Sequence, residues 1–405
     1  MNPTKESKEF RIMRLHTHLL KFLLIWPSDS FSEKLNWFVI HGCLTISIFF
    51  SLPVFSAVAY QFYVGIDDLN TLLEALIGVL NIIISDVTYL SFLRKQKEIQ
   101  KVIDDIYWFV KYCGFELIKK TDEEIVRLTK CILYYVILGV TLNLMWPLLS
   151  IKSCVASRKS EFYIRHDPCG MPTQNMYPLD ASKGKTFLLF FTIEAIYCYH
   201  TCLFFSLATV IFIGFLKHIS AQLKYCAYKF EHVFDDVSNN VNSIEKVQQE
   251  FIHLIKYHQS IFQYTTNMFG IFDIMIVVYI GITSFTLAII GYQIVSPTTN
   301  DEDRIRYTIL LIGLVLLFYS ISYYGQQVHD EFINIGDAIF KSQWYENGIA
   351  LRLHLFLLIV STRTKRGFDF KVKLLGSLSL IVFMRVMKRA YQMFALLLTV
   401  ANDTH

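Results

Sequence analysis

The ionisable side chains standing inside apolar stretches are the first candidates for chemistry in this sequence. Asp86, Glu194, Asp273, His41 and His200 each interrupt a long hydrophobic run. A charged group in hydrocarbon is costly, so such residues face a protein interior, a water-filled cavity or a partner on another helix. Two readings stay open: ties between helices, or the polar wall of a binding site, which suits Glu194 and His200 best. Near them lie small and aromatic residues: Ile77 early in the chain, then Gly139, Leu142, Asn143 and Trp146, then Tyr197 and Tyr292. Gly139, Leu142 and Trp146 are separated by three and four positions, which puts them on one helical face. An aromatic-lined space between helices suits a small apolar ligand such as an ester, terpenoid, aldehyde or alcohol. Core packing, or a Trp belt at the lipid interface, fits any single one of these residues equally well.

Other chemistries are not signalled. The eight cysteines lack metal-ligand spacing, so neither a metal centre nor a cofactor is expected. No nucleophile elbow, zinc-protease, Walker or dinucleotide motif occurs, which excludes the common enzyme classes. The basic residues flank apolar runs and do not gather into a face for nucleic acid. Cys154 and Cys169 share one hydrophilic loop and can bridge if that loop is extracellular.

The elements that must position these residues are membrane spans. The chain is 54% hydrophobic and only 18% charged, and its apolar residues are clustered, so the lipid bilayer is the solvent for most of it. Seven stretches have the roughly 20 apolar residues a crossing helix needs: 36–60, 69–92, 131–151, 186–216, 271–295, 305–325 and 376–400. Ile349–Val360 is too short and reads as a helix outside the membrane. Threading the chain through these spans places 30 of its 38 Lys and Arg on one side. The basic side is cytoplasmic, so the N-terminus is inside and the C-terminus outside.

The expected fold is therefore an all-α membrane protein of seven transmembrane helices. Residues 1–35 form a cytoplasmic amphipathic segment lying in the interface plane and ended by Pro27. Residues 36–325 carry the first six spans and an outer-half pocket, and 326–375 form a cytoplasmic anchor. Residues 376–405 hold the last helix and an extracellular end. Helical periodicity from Ser243 to Gln263, and continuations at 217–234 and 326–346, predict a cytoplasmic helical bundle. In the last span Leu396 and Val400 are one turn apart. Rings of such residues can shut a pore by excluding water, although any hydrophobic helix contains such pairs.

The order of these features resembles the insect odorant receptors, and the match is strongest over roughly 250–400. It rests on Leu254-Ile255-x-x-His258-x-x-Ile261, on Tyr323-Tyr324-Gly325 with Ala338 and Trp344-Tyr345, and on Ser377-Leu378-Ser379-Leu380 running to Ala390-Tyr391. Met171-Pro172 and Tyr177-Pro178 are similar to the family's outer loop.

The resemblance implies an odorant-gated, non-selective cation channel of four subunits, in the plasma membrane of olfactory sensory neurons. Aligned through Ala390, Tyr391 and Phe394, the family's gate positions fall on Leu396 and Val400. Its span-three pocket wall falls on Trp146, Leu142 and Gly139, with the small volatile odorant held among spans two to six. The family's long insertion between spans four and five, typical of the shared co-receptor, is missing. That implies a ligand-tuning subunit partnered with the co-receptor in a heterotetramer. If Leu396 faces a pore, Arg389 and Arg385, seven and eleven residues earlier, lie within about 20° of its direction and face the inner pore.

Two rivals remain at this stage. A gustatory-type channel would carry Thr-Tyr-x-x-x-x-x-Gln-Phe in the last helix, but here Tyr391 and Gln392 are adjacent. A G-protein-coupled receptor would have an external N-terminus and an acidic-Arg-Tyr motif after span three, where Ser150-Ile151-Lys152-Ser153 stands instead.

Overall fold

The computed structural model describes residues 12–23, 26, 32–64, 69–149, 151–157, 165–166, 169–173, 175–182, 184–235, 241–297, 299, 301–342 and 378–403. Helices α1 (Arg14–Phe22), α2 (Glu33–Val64) and α3 (Leu69–Arg94) open the chain. They are followed by α4 (Gln96–Trp108), α5 (Val110–Cys113), α6 (Phe115–Leu149) and α7 (Ile151–Ser157). The long helices α8 (Gly184–Glu231), α9 (Val241–Val295) and α10 (Asp301–Lys341) come next, and α11 (Leu380–Asp403) ends the described chain.

Each expected span falls on a helix. Five of these, α3, α6, α8, α9 and α10, are long and apolar enough to cross a membrane. The first and last expected spans coincide with α2 and α11, which are not among the five. Many side chains in the first half of α2, His41 included, lie outside the described residues, and α11 collects Arg385, Lys388 and Arg389 in its first half. The expected helix at Ile349–Val360 also lies outside the described residues.

The core is built around α8. Every residue from Ser206 to Leu216 is buried, and a helix apolar on all sides is stable only when surrounded. It packs against α6, α9 and α10. Its inner end joins α9 through Phe230 against Phe251 and through Tyr257, whose Oη donates to Gln222 Oε1 at 2.5 Å. These contacts build the expected bundle from helices that run on without interruption. The 93–130 stretch, expected as a loop, is largely helical. In α4, Ile99, Val102, Ile103 and Ile106 turn one buried stripe inward, and Gly114, at φ 78, separates α5 from α6.

The N-terminal helix is amphipathic, but its partner is protein. Met13 and Leu20 are fully buried. The Ile12 N–H donates to Tyr107 Oη at 2.7 Å and the Met13 N–H to Asp122 Oδ1 at 2.9 Å. His16 Nε2 lies 2.8 Å from Thr129 Oγ1. The apolar stripe of this helix is thus taken up by a groove between α4, α6 and α8.

Burial pushes the His16 imidazole down to about 4, with Asp122 opposing the shift and His218 adding to it. An undocked segment would titrate near 6.5 and so binds more protons than the docked one between those values. Docking is therefore at full strength above pH ~6.5 and weakens by about 3 kcal/mol as pH falls towards ~4. Tryptic cleavage at Arg14 and Lys21 should accelerate several-fold between pH ~7 and ~5.5 after correction for the enzyme's own pH profile. His16→Gln should flatten that dependence. Equal pH dependence in both proteins would assign the release to another group.

Candidate functional site: a lidded cavity and an exposed face on the last helix

Helices α3, α6, α8, α9 and α10, with Val54 of α2 and a loop, enclose a cavity of about 570 Å³. It follows α6 from Leu128 to Trp146, about 27 Å at 1.5 Å per residue. The spacing of its walls is fixed by cross-ties. Tyr135 of α6 donates to the Ile309 carbonyl of α10 at 2.6 Å, and Thr141 Oγ1 meets Tyr199 Oη at 2.7 Å.

Ile77, Gly139, Leu142, Asn143, Trp146, Glu194 and Tyr197 all line this one cavity. Tyr292 does not. Its ring is buried in an adjoining cluster with Leu73, Ile77, Ile289, Ile290 and Tyr307, because the C-terminal end of α9 turns that face towards α3 and α11. Of the other ionisable residues in spans, Asp273 pairs with Lys95 at 3.6 Å, and His200 stands 6.0 Å from the Tyr89 ring. Both lie outside the lining and fit the reading of ties between elements.

Glu194 is both wall and tie. It is buried, Tyr177 donates its hydroxyl to Oε1, and the Thr173 N–H donates to Oε2 at 3.1 Å. These bonds pull the loop over the cavity, so that Pro172, Thr173 and Asn175 line it. Tyr177 also stacks on Phe190 at 4.3 Å, and its N–H donates to the His166 carbonyl at 2.6 Å. Cys154 and Cys169 are bonded, with Cα atoms 5.8 Å apart, which fastens the loop to α7. Gly170 follows at φ 97, and a Cβ there would stand 2.8 Å from Ile151 Cγ1, so the turn requires glycine. The result is a lid held at both ends.

Sequence reasoning missed several lining groups. Glu74, Arg306 and Tyr307 form a polar network: Tyr307 Oη donates to Glu74 Oε1 at 2.6 Å, and the Arg306 guanidinium lies 5.2 Å from the Tyr307 ring. Arg306 belongs to the charged run 301–306, which reads as a solvated helix start, so no local signal marks it. Cys131, Cys198 and Cys202 line the same space, with the last two a helical turn apart.

The last helix divides cleanly. Val382, Val386 and Ala390 are buried, and Phe394 packs against the backbone of Gly291 on α9. Arg385, Arg389, Leu396 and Val400 are exposed in the single chain, with Leu396 at 63% and Val400 at 44%. One stripe therefore presents guanidinium groups in the first half of the helix and apolar side chains in the second.

The sequence profile of the family described as 7tm Odorant receptor matches residues 68–391. The chain belongs to the insect odorant receptor family. It is a multi-pass, all-helical membrane receptor of that family. Among curated relatives from Drosophila melanogaster, Odorant receptor 67c is 22% identical over 229 residues, 56% of this chain and 54% of that one. Odorant receptor 49a is 28% identical over 144 residues, 36% of each. The chain thus aligns with about half, or less, of the length of these receptors. The insect olfactory receptor OR5 from Machilis hrabei in complex with eugenol superposes with a TM-score of 0.75 at 12% identity, over 96% of this receptor and 98% of that chain. The structure of OR5 described without eugenol superposes equally, at 13% identity. At that identity the likeness is one of fold.

Proposed function

We propose that this receptor is a ligand-tuning subunit of an odorant-gated, non-selective cation channel. It crosses the plasma membrane of olfactory sensory neurons seven times, with its N-terminus in the cytoplasm and its C-terminus outside. A small hydrophobic odorant occupies the lidded cavity. Binding opens a hydrophobic constriction at Leu396 and Val400, below which Arg385 and Arg389 face a wide inner path. Four subunits surround the pore, including copies of the shared co-receptor.

The observation that carries this reading is the cavity. It is covered on one side by a fastened loop and walled mostly by apolar side chains, and its volume lies within the roughly 300–1,000 Å³ of small-molecule pockets. The solved relative of like fold is in complex with eugenol, a small hydrophobic molecule. The exposed stripe of α11 adds support, since a face carrying Arg385 and Arg389 suits water or another subunit better than lipid.

The test is Trp146→Ala, expressed with a co-receptor and scored against an odorant panel. Removing one aromatic wall should shift the half-maximal concentrations of good agonists by about tenfold or more, the usual scale for a buried aromatic contact. Currents evoked through the co-receptor's own agonist should be unchanged. Wild-type potency and ranking across the panel would place the odorant elsewhere.

A further inference from the structure

Arg306 is the one lysine or arginine among the described residues that line the cavity. Its side chain is 12% exposed, and a guanidinium stays charged at any physiological pH. A buried charge needs partners. Those present are Asp303, with Oδ1 3.5 Å from Nη1, and Tyr307, which accepts a hydrogen bond from the guanidinium and itself donates to Glu74. A 3.5 Å separation is long for a hydrogen bond. The acids thus balance the charge without closing on the fork, whose five N–H donors can turn to a nearer acceptor. Ile77, Val136, Leu142, Phe205 and Leu310 leave most of the remaining wall apolar.

Resting on the assignment of this cavity as the odorant pocket, we infer that the receptor is tuned to neutral hydrophobic molecules bearing a carbonyl oxygen, to which Arg306 donates. A carbonyl only accepts and a guanidinium only donates, so the two match without rearrangement. Charge disfavours a carboxylate. Glu74, Asp303 and Glu194 set three acids against one arginine in and beside the cavity, and an entering anion would meet net negative charge where dielectric screening is weak. An amine would be drawn to the acids but would place its own charge against Arg306. A plain alkane would fill the space and leave the arginine unanswered.

The experiment compares octanone, octane, octanoic acid and octylamine, with their cyclohexyl and phenyl counterparts, on receptor co-expressed with a co-receptor. In the wild type each ketone should be at least about tenfold more potent than its hydrocarbon, the ratio one hydrogen bond from a charged donor supplies, with the acids weakest. Arg306→Gln, checked for surface expression, should collapse that ratio by lowering ketone potency while leaving the hydrocarbons in place. Arg306→Lys should keep part of it. Equal potency of ketone and hydrocarbon in the wild type overturns the inference without any variant, as does silence to every compound. If Trp146→Ala shifts the panel while Arg306→Gln moves ketone and hydrocarbon alike, the pocket stands and the carbonyl inference falls. If neither substitution shifts any compound, the pocket assignment falls with it.

Discussion

Leu396→Ser is expected to raise the resting current of the channel about tenfold or more. Leu396 is 63% exposed in the single chain, on the stripe that also carries Arg385, Arg389 and Val400, while the opposite face of the helix is packed. A dry constriction persists because apolar side chains bind water poorly. Exchanging a leucine side chain for a hydroxyl removes roughly 2 kcal/mol of that preference, and each 1.4 kcal/mol is about a factor of ten in the open population. Val400 stands one turn further out, so the double substitution should leak more than either single one. The check is current without odorant, normalised to surface protein. A well-expressed Leu396→Ser channel that stays silent at rest and answers odorant normally would move the gate elsewhere.

Gly325→Ala is expected to destabilise the receptor's interior strongly, and Gly291→Ala hardly at all. A Cβ at Gly325 would sit 2.7 Å from the Leu378 carbonyl oxygen and 2.9 Å from Leu378 Cγ. The oxygen belongs to the backbone just before α11 and cannot swing aside, so α10 and the start of the last helix must separate. Overpacking of this kind costs roughly 1–3 kcal/mol, more than the ~1 kcal/mol that alanine gains over glycine in a helix. At Gly291 the nearest atom to an added Cβ is Phe394 Cδ2 at 3.5 Å, an ordinary contact, so the helix gain stands alone. Thermal stability of detergent-solubilised receptor should rank Gly291→Ala at or above wild type, and Gly325→Ala several degrees below. The opposite order would mean that α10 and α11 do not meet as closely as described.

That glycine also shows what the sequence made legible. Tyr323-Tyr324-Gly325 and the serine-leucine run at 377–380 are marks of family resemblance in the sequence, and the fold explains their pairing: the missing side chain admits Leu378. The spans were legible because lipid demands long apolar runs. The helical continuations at 217–234, 243–263 and 326–346 were legible too, from their periodicity, and α8, α9 and α10 run through 217–231, 243–263 and 326–341. In α9 the helix passes through Thr265-Thr266-Asn267 and Gly270 without a break. Thr265 and Thr266 return their hydroxyls to the Ile261 and Phe262 carbonyls at 2.7 and 2.9 Å. In α4 the buried stripe was present in the spacing of Ile99, Val102, Ile103 and Ile106, but dense charge around it resembled a solvated loop. Gly139, Leu142 and Trp146 share one helical face in the sequence, and all three line the cavity. Tyr292 rested on depth and facing only, and neither says which neighbour a side chain meets. Arg306 was hidden for the converse reason, since a charge near a helix start usually points to water.

The uninterrupted course of α9 has a mechanical consequence. Thr286 lines the cavity and Phe251 is buried against Phe230 of α8, on one helix with no break between them. Thirty-five residues separate the two, about 52 Å at 1.5 Å per residue. A rigid lever of that length, tilted by about 3° at the odorant end, sweeps its far end through about 3 Å, enough to move a packed aromatic ring out of register. A ligand in the cavity would therefore need to displace its wall by only a fraction of an ångström to move Phe251 against Phe230.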